Sequence, residues 1–214
     1  STPTTEIEIP VQGMISWRDT TYTGYVVPLT SPYRVVNDSA DVTSRLLARF
    51  ETIPDSIDVG TIQQPIEAYS SGRFRLLVDT ATSVIPEAGL ELEVFALTRA
   101  YEERDATWSL AALDEPWTEP GGDLGERIGA LRIDAPFDST TSDTLFVPFE
   151  VSTDSVLSNW ASSDGEPGLA IRAVGAGSSV DVRALAVTFE VKPVGQDSLV
   201  PAARSPAGYT VIFD

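Results

Sequence analysis

The sequence predicts an all-β fold, a two-sheet antiparallel β-sandwich of the jelly-roll type with about nine strands and one short helix. Short runs rich in Val, Leu, Thr and aromatic residues recur along the 214 residues, and 15 glycines and 15 prolines recur between them. This spacing is typical of an all-β domain, and nine strands are enough for two packed sheets. The predicted strands are residues 6–15, 25–29, 45–51, 73–80, 90–101, 144–151, 168–174, 184–191 and 209–213.

Several of these strands alternate between apolar and polar residues, which predicts one buried and one exposed face. The strand at 90–101 places Leu90, Leu92, Val94 and Ala96 on one face and Glu91, Glu93 and Phe95 on the other. Residues 145–149 and 185–189 are apolar on both faces, so we expect them to lie centrally between the layers. Pro148 has no amide hydrogen and predicts a bulge or an edge position in its strand.

The one short helix is predicted near residues 153–160. Thr153 is the expected N-cap, Asp154 supplies an acid to the first turn, and Val156, Leu157 and Trp160 are spaced to form one apolar face. Residues 57–69 contain Pro65 and are better explained as loop and strand than as helix.

The length of the chain favours a single domain spanning residues 1–214, because β-sandwiches commonly reach about 200–250 residues as one domain. Residues 1–12 are predicted to form an extended N-terminal arm, and 193–206 a Pro/Gly-rich loop before the last strand. The chain begins at Ser1 rather than Met, which is consistent with removal of a targeting segment, although trimming would produce the same start. We therefore expect an extracytoplasmic protein, periplasmic or on the cell surface, from a bacterium or archaeon.

The charge balance removes several classes of function. The chain has 14 Lys and Arg against 32 Asp and Glu, a net charge of −18, with no Cys and no His. Such an acidic chain is an improbable partner for nucleic acid or anionic lipid, because it would repel their phosphates. Without His or Cys it has no imidazole base, thiolate nucleophile, disulfide or zinc ribbon. No apolar run approaches the roughly 18 residues of a membrane-spanning helix.

Four sequence motifs occur in an order that is similar to a known family. They are residues 45–51 (RLLARFE) followed by Ile-Pro, 106–108 (ATW) with 115–123 (EPWTEPGGD), 149–152 (FEVS) leading to a Trp, and 165–172 (GEPGLAIR). Together they resemble the DNRLRE-type and disaggregatase-related β-sandwich modules. Those are jelly-roll domains of secreted bacterial and archaeal proteins, sometimes classed as carbohydrate-binding modules. Tyr101 stands where that family usually has Trp.

The resemblance implies a candidate ligand site around Trp117, with Tyr101, Glu115 and Glu119 beside it. Sugar-binding sandwiches stack pyranose rings on exposed aromatic faces and fix the hydroxyl groups with carboxylates. The alternative is that these aromatic residues are structural, with the indole N–H bonded to a loop carbonyl.

The acidic loops could also hold a structural calcium ion, since calcium is bound by six to eight oxygen atoms. Asp114 and Asp123 are the candidate ligands, although no loop has the spacing of a dedicated calcium loop, and a solvated acidic surface is the alternative. Paired carboxylates such as Glu119 with Asp123, or Glu102 with Glu115, could make a glycosidase. Spacing alone does not support that activity, so we predict a protein that is not an enzyme.

Two functions remain. The favoured one is a non-catalytic structural or interaction subunit that docks on a larger assembly, such as an envelope complex, a membrane-extrinsic site or a filament. Glu6, Ile7 and Ile9 of the arm are its predicted partner-binding residues, because an extended segment can add a strand to a neighbour's sheet. The arm could instead pair within its own sandwich. The alternative function is a carbohydrate-binding module, with polysaccharide as the ligand, that uses exposed Trp and acidic loops.

Overall fold

Antiparallel strands make up most of the chain, and the all-β prediction is confirmed at this level. The computed structural model describes residues 33–38, 42–50, 52–135, 142–162 and 168–214. The predicted strands 6–15 and 25–29 and the arm with Glu6, Ile7 and Ile9 lie outside them. The described strands are β1 (Tyr33–Asp38), β2 (Val42–Arg49), β3 (Ser56–Val59), β4 (Ile62–Val84), β5 (Leu90–Leu97), β6 (Leu110–Ala112), β7 (Glu115–Pro116), β8 (Leu124–Ile133), β9 (Asp143–Pro148), β10 (Gly168–Val174), β11 (Ser178–Pro193), β12 (Val200–Arg204) and β13 (Gly208–Phe213).

Eleven of these strands form one large curled sheet. Its order is β3-β4-β11-β1-β2-β10-β5-β8, while β9 pairs with β4, β12 with β11, and β13 with β2. Phe149, just after β9, forms a single bridge with Gly129 of β8. The amide of Glu150 also donates to the carbonyl of Ile128 at 2.9 Å. The curled sheet therefore meets itself where β8 lies beside β9.

The described residues contain thirteen strands rather than about nine. Two of the predicted element boundaries differ from those in the structure. The strand predicted at 90–101 ends at Leu97, and the loop predicted at 193–206 contains β12. β8 was not predicted, because its two glycines are more typical of turns than of strands. At Gly129 a Cβ atom would lie 2.8 Å from the carbonyl oxygen of Pro148, so a glycine is needed for β8 to approach β9.

The core forms from the apolar faces that the alternation predicts. Leu90, Leu92 and Val94 of β5 are buried in the main core cluster, which also contains Phe74 of β4 and Val187 of β11. Glu91, Glu93 and Phe95 lie on the other side of β5, which we call the outer side because it faces away from this cluster. Pro148 is the last residue of β9, a position where its missing amide hydrogen breaks no central ladder.

The helix, α1 (Thr153–Ala161), is found where the sequence predicts it, but its N-cap is Ser152 rather than Thr153. The Ser152 hydroxyl accepts a hydrogen bond from the amide of Ser155 at 3.3 Å; Ser and Thr are both good caps, so the sequence could not choose between neighbours. Val156, Leu157 and Trp160 are buried as expected. Among the described residues, none of the helices is long or apolar enough to cross a membrane.

Two buried carboxylates join the ends of β1, β4 and β11. Asp181 accepts two hydrogen bonds from the guanidinium of Arg34, both at 2.7 Å, and Asp79 accepts hydrogen bonds from Arg183. Burial opposes ionisation of Asp181, but the hydrogen bonds from Arg34 and Thr82 and the charge of Arg34 together outweigh it and hold the pKa of Asp181 below its ordinary value. The hydrogen bond from Arg183 likewise lowers the pKa of Asp79. Both carboxylates are therefore ionised at neutral pH.

We expect Asp181→Asn to lower the free energy of unfolding by about 1–2 kcal/mol at pH 7, because it removes a charge-assisted pair at a buried site. A carboxylate with a lowered folded-state pKa stabilises the protein above its unfolded pKa of about 3.9 and loses that contribution as the pH falls through the folded value. Chemical denaturation from pH 7 to pH 3 should therefore show the difference between wild type and variant shrinking below about pH 4.

The matched control is Asp134→Asn, which removes an exposed partner of Arg132. We expect it to cost less than about 0.5 kcal/mol at pH 7. Equal losses in the two variants would contradict a stabilising role specific to the buried pair.

Candidate functional site

Residues 98–123, between β5 and β8, fold back over the outer side of the sheet, and we call this segment the flap. Its apolar side chains form a second core with residues of β2, β5, β10 and β13. This cluster contains Leu47, Leu97, Tyr101, Ala106, Ala111, Trp117, Ala170 and Ile212. The sheet beneath the flap is therefore covered by apolar residues on both sides.

Trp117, the predicted sugar platform, is buried in this second core and is 5% exposed. Its indole Nε1 donates a hydrogen bond to the carbonyl of Thr107 at 2.9 Å. Stacking a sugar needs an exposed ring face, and the indole ring of Trp117 is covered within the flap. Trp117 therefore has the burial and the hydrogen bond to a loop carbonyl that were the alternative to sugar binding. Tyr101 is 2% exposed, and burial, with a smaller effect from Glu103, raises its pKa.

Two of the predicted acidic ligands, Asp123 and Glu115, have partners within the chain. One carboxylate oxygen of Asp123 accepts from the amides of Thr118 and Glu119 at 2.7 and 3.0 Å, and the other accepts from the Thr118 hydroxyl at 3.1 Å. Asp123 thus closes the turn that follows Trp117. Glu115 pairs instead with Arg99 at 2.8 Å.

Asp114 is exposed in the two-residue turn between β6 and β7, with a left-handed φ of 59° that Asp tolerates better than most residues. In the part of the chain that the structure describes, no group of three or more Asp or Glu side chains is arranged to hold a metal ion. Calcium binding by Asp114 and Asp123 stays a prediction.

Arg45 of β2 fastens the flap to the sheet, a role that the sequence did not indicate although Arg45 begins one of the family-like motifs. Its Nη1 donates to the carbonyl of Gly121 at 2.5 Å, and its guanidinium carbon lies 4.7 Å from the ring centroid of Trp108. Burial, with nearby Arg172, lowers the pKa of Arg45. Gly121 has φ +90°, and a Cβ there would lie 2.6 Å from Arg45 Nη1, so only glycine fits without a shift.

A shallow pocket of about 400 Å³ lies beside the contact between Arg45 and the flap. Arg45 and Glu119 line it together with Thr98, Thr118 and Leu124. It therefore combines one cation, one exposed carboxylate and two threonines at the edge of the flap.

The outer side of β5, β8 and β10 is an ionic network centred on Glu93. This carboxylate accepts hydrogen bonds from Arg127 at 2.9 Å and Arg172 at 2.6 Å. Burial opposes its ionisation, but the two arginines outweigh burial and lower the pKa of Glu93. Arg127 also pairs with Glu91 and Glu150. The arginines on this side are therefore neutralised by carboxylates of the same chain.

The outer side of β9, β4 and β11 carries a different surface, which we call the arginine face. It contains Arg73, Arg75, Thr144, Phe146, Ala186 and Thr188. In the register of the sheet, Arg75 lies between Phe146 and Ala186, and Arg73 lies between Pro148 and Thr188. The guanidinium carbon of Arg73 lies 4.4 Å from the ring centroid of Phe146. Among the described residues, no carboxylate forms an ion pair with Arg73 or Arg75.

An open hollow of about 570 Å³ continues the arginine face toward β12. Arg73, Thr188 and Glu190 line it along with Ser71 and Pro201. The Ser71 hydroxyl donates to Glu190 at 2.7 Å, which places one negative charge at the β12 end of the hollow. The polarity of the face therefore changes from basic at β4 to acidic near β12.

No family model matches the chain, and neither a curated protein nor a solved structure matches it. The resemblance to the DNRLRE-type modules stays a prediction.

We expect Asp123→Ala to destabilise the protein by about 1–3 kcal/mol, because it leaves two amides and a hydroxyl of the flap without their acceptor. Asp114→Asn is the control, since it alters an exposed carboxylate in the same segment and should change stability by less than about 0.5 kcal/mol. Chemical denaturation followed by tryptophan fluorescence measures both. The loss should be equal in chelator and in millimolar calcium, whereas a loss confined to calcium would contradict this turn-closing role.

Proposed function

We propose that the protein is a non-catalytic, extracytoplasmic interaction subunit that docks on a larger assembly, such as an envelope or membrane-extrinsic complex or a filament, through its arginine face. The observation that carries this proposal is Phe146 of β9, a large aromatic side chain that stays 43% exposed beside Arg75 of β4. Exposed aromatic and arginine side chains are the residues most enriched at the energetic centres of protein interfaces.

We also infer that the curled sheet is a two-layer sandwich of the jelly-roll type. One layer is β9-β4-β11-β1 with β12, and the other is β13-β2-β10-β5-β8. The layers join at two narrow places, the two residue pairs between β1 and β2 and the single bridge between Gly129 and Phe149. The main core draws its residues from both layers, with Phe74 from the first and Ile128 from the second. In this arrangement the arginine face is the open surface of the first layer.

The contacts of the carboxylates support a binding role rather than a catalytic one. Asp123 closes a turn, Glu93 binds two arginines, and Asp79 and Asp181 bind one arginine each. A glycosidase needs two carboxylates that are free to act on a substrate. The pairs considered from the sequence each contain a member already engaged within the flap, Asp123 in one and Glu115 in the other.

Carbohydrate binding is the second candidate, now favoured by the pocket beside the flap rather than by Trp117. Arg45, Glu119 and the two threonines there could hydrogen-bond sugar hydroxyl groups. Calorimetry against a polysaccharide panel tests this candidate with Glu119→Gln, and Glu126→Gln on β8 is the control. Binding that Glu119→Gln leaves unchanged would exclude the pocket.

For the docking function, we expect Phe146→Ala to reduce recovery of the partner by about tenfold or more, because removal of a central aromatic residue from an interface costs about 2 kcal/mol or more. The control is Leu113→Ala, which removes an apolar side chain that is 70% exposed but lies in the flap. The measurement is quantitative mass spectrometry of proteins captured from native envelope extract. Equal recovery by wild type and Phe146→Ala would contradict docking through this face.

A further inference from the structure

We propose that the arginine face binds an extended acidic segment of a partner polypeptide, with acidic residues at alternate positions that contact Arg73 and Arg75. This inference rests on the proposed docking function and adds the chemistry of the partner. The chain has 32 acidic residues against 14 basic ones. With acids this abundant, a shortage of acids does not explain why Arg73 and Arg75 have no carboxylate partner among the residues that the structure describes.

The direct neighbours of the two arginines are neutral. Across the strands, Arg75 lies beside Phe146 and Ala186, and Arg73 lies beside Pro148 and Thr188. Opposite charges at such cross-strand positions are the usual means of stabilising a sheet. Within the described part of the chain, neither arginine has an acidic cross-strand neighbour, so both guanidinium groups can bind carboxylates of a partner.

The spacing of the arginines selects an extended ligand. Arg73 and Arg75 are two residues apart on β4, so their Cα atoms are separated along the strand by about 6.6–6.8 Å. Alternate residues of an extended peptide have the same separation and point to the same side. A segment with Asp or Glu at positions i and i+2 can therefore match both arginines when it lies along β4.

Phe146 positions one of the two arginines. Its ring lies 4.4 Å from the guanidinium carbon of Arg73, which restrains the side chain by a cation–π contact. A guanidinium held by one face still presents N–H groups along its edge, and those groups match a carboxylate in bidentate fashion. Restraint before binding lowers the entropic cost of association.

Glu190 sets the direction in which the acidic segment lies. It is at the β12 end of the hollow, where it accepts the hydrogen bond from Ser71. Its negative charge disfavours acidic residues at that end. The acidic part of the segment therefore lies toward β9, over Phe146, and a neutral or hydroxyl-bearing part fits the hollow.

The test is fluorescence anisotropy with the full chain and a labelled eight-residue peptide that alternates Glu and Val. We expect saturable binding that weakens as salt is raised, because exposed ion pairs are screened. The double variant Arg73→Gln, Arg75→Gln should bind at least about tenfold more weakly, since it removes both charge-assisted contacts. Arg104→Gln, which alters an exposed arginine of the flap, is the control and should stay within about twofold.

In this binding assay, three outcomes would overturn the inference. They are equal binding of a peptide in which Gln replaces Glu, full binding by the double variant, or binding of polygalacturonate in place of the peptide. The peptide comparison uses only the wild-type chain, so it decides the matter even if the double variant fails to fold. Loss of the natural partner with Phe146→Ala but not with the double variant would overturn the acidic segment and leave docking intact. Retention of the partner by both variants would overturn docking itself.

Discussion

The pairing of β4 with β11 is the constraint on which the rest of the structure depends. These strands are 23 and 16 residues long and are joined by twelve residue pairs. β3 and β9 pair with β4, while β1 and β12 pair with β11, so four further strands take their positions from this ladder. Register shifts along β11 show bulges, which bend a strand and increase its twist. Curvature of the sheet over one core follows from these irregularities.

The sequence predicts the elements whose signals are local. Alternation in residues 90–97 correctly separates the buried from the outer face of β5, and the spacing of Val156, Leu157 and Trp160 identifies α1. β8 was not predicted because the requirement for a glycine within it depends on a contact with a distant part of the chain. Gly129 permits close approach of Pro148, and no local rule distinguishes such a glycine from a turn residue.

The candidate site was less predictable because it depends on contacts between distant segments. Trp117 and its acidic neighbours read equally well as a platform or as structural residues, and only the fold of the flap over β2 and β10 shows that the indole is buried. The stack of Arg73 on Phe146 joins residues 73 positions apart. It follows from the register of β4 with β9, which the sequence alone does not specify. Arg45 belongs to a motif in the sequence, but its role depends on its hydrogen bond to Gly121 and its contact with the Trp108 ring, which the sequence does not show.

The arginines on the two outer surfaces of the sheet have different neighbours, which are acidic on one surface and neutral on the other. On β5, β8 and β10, Arg127 and Arg172 lie beside glutamates, so their charges stabilise the fold. On β4 the neighbours of Arg73 and Arg75 are neutral, which forgoes about 0.2–1 kcal/mol for each oppositely charged pair that could have formed. The cross-strand pairing of the described strands therefore does not explain these two charges on a chain of net charge −18. The proposed carboxylate-bearing partner would explain them, because it would supply the opposite charges that the neighbouring strands lack.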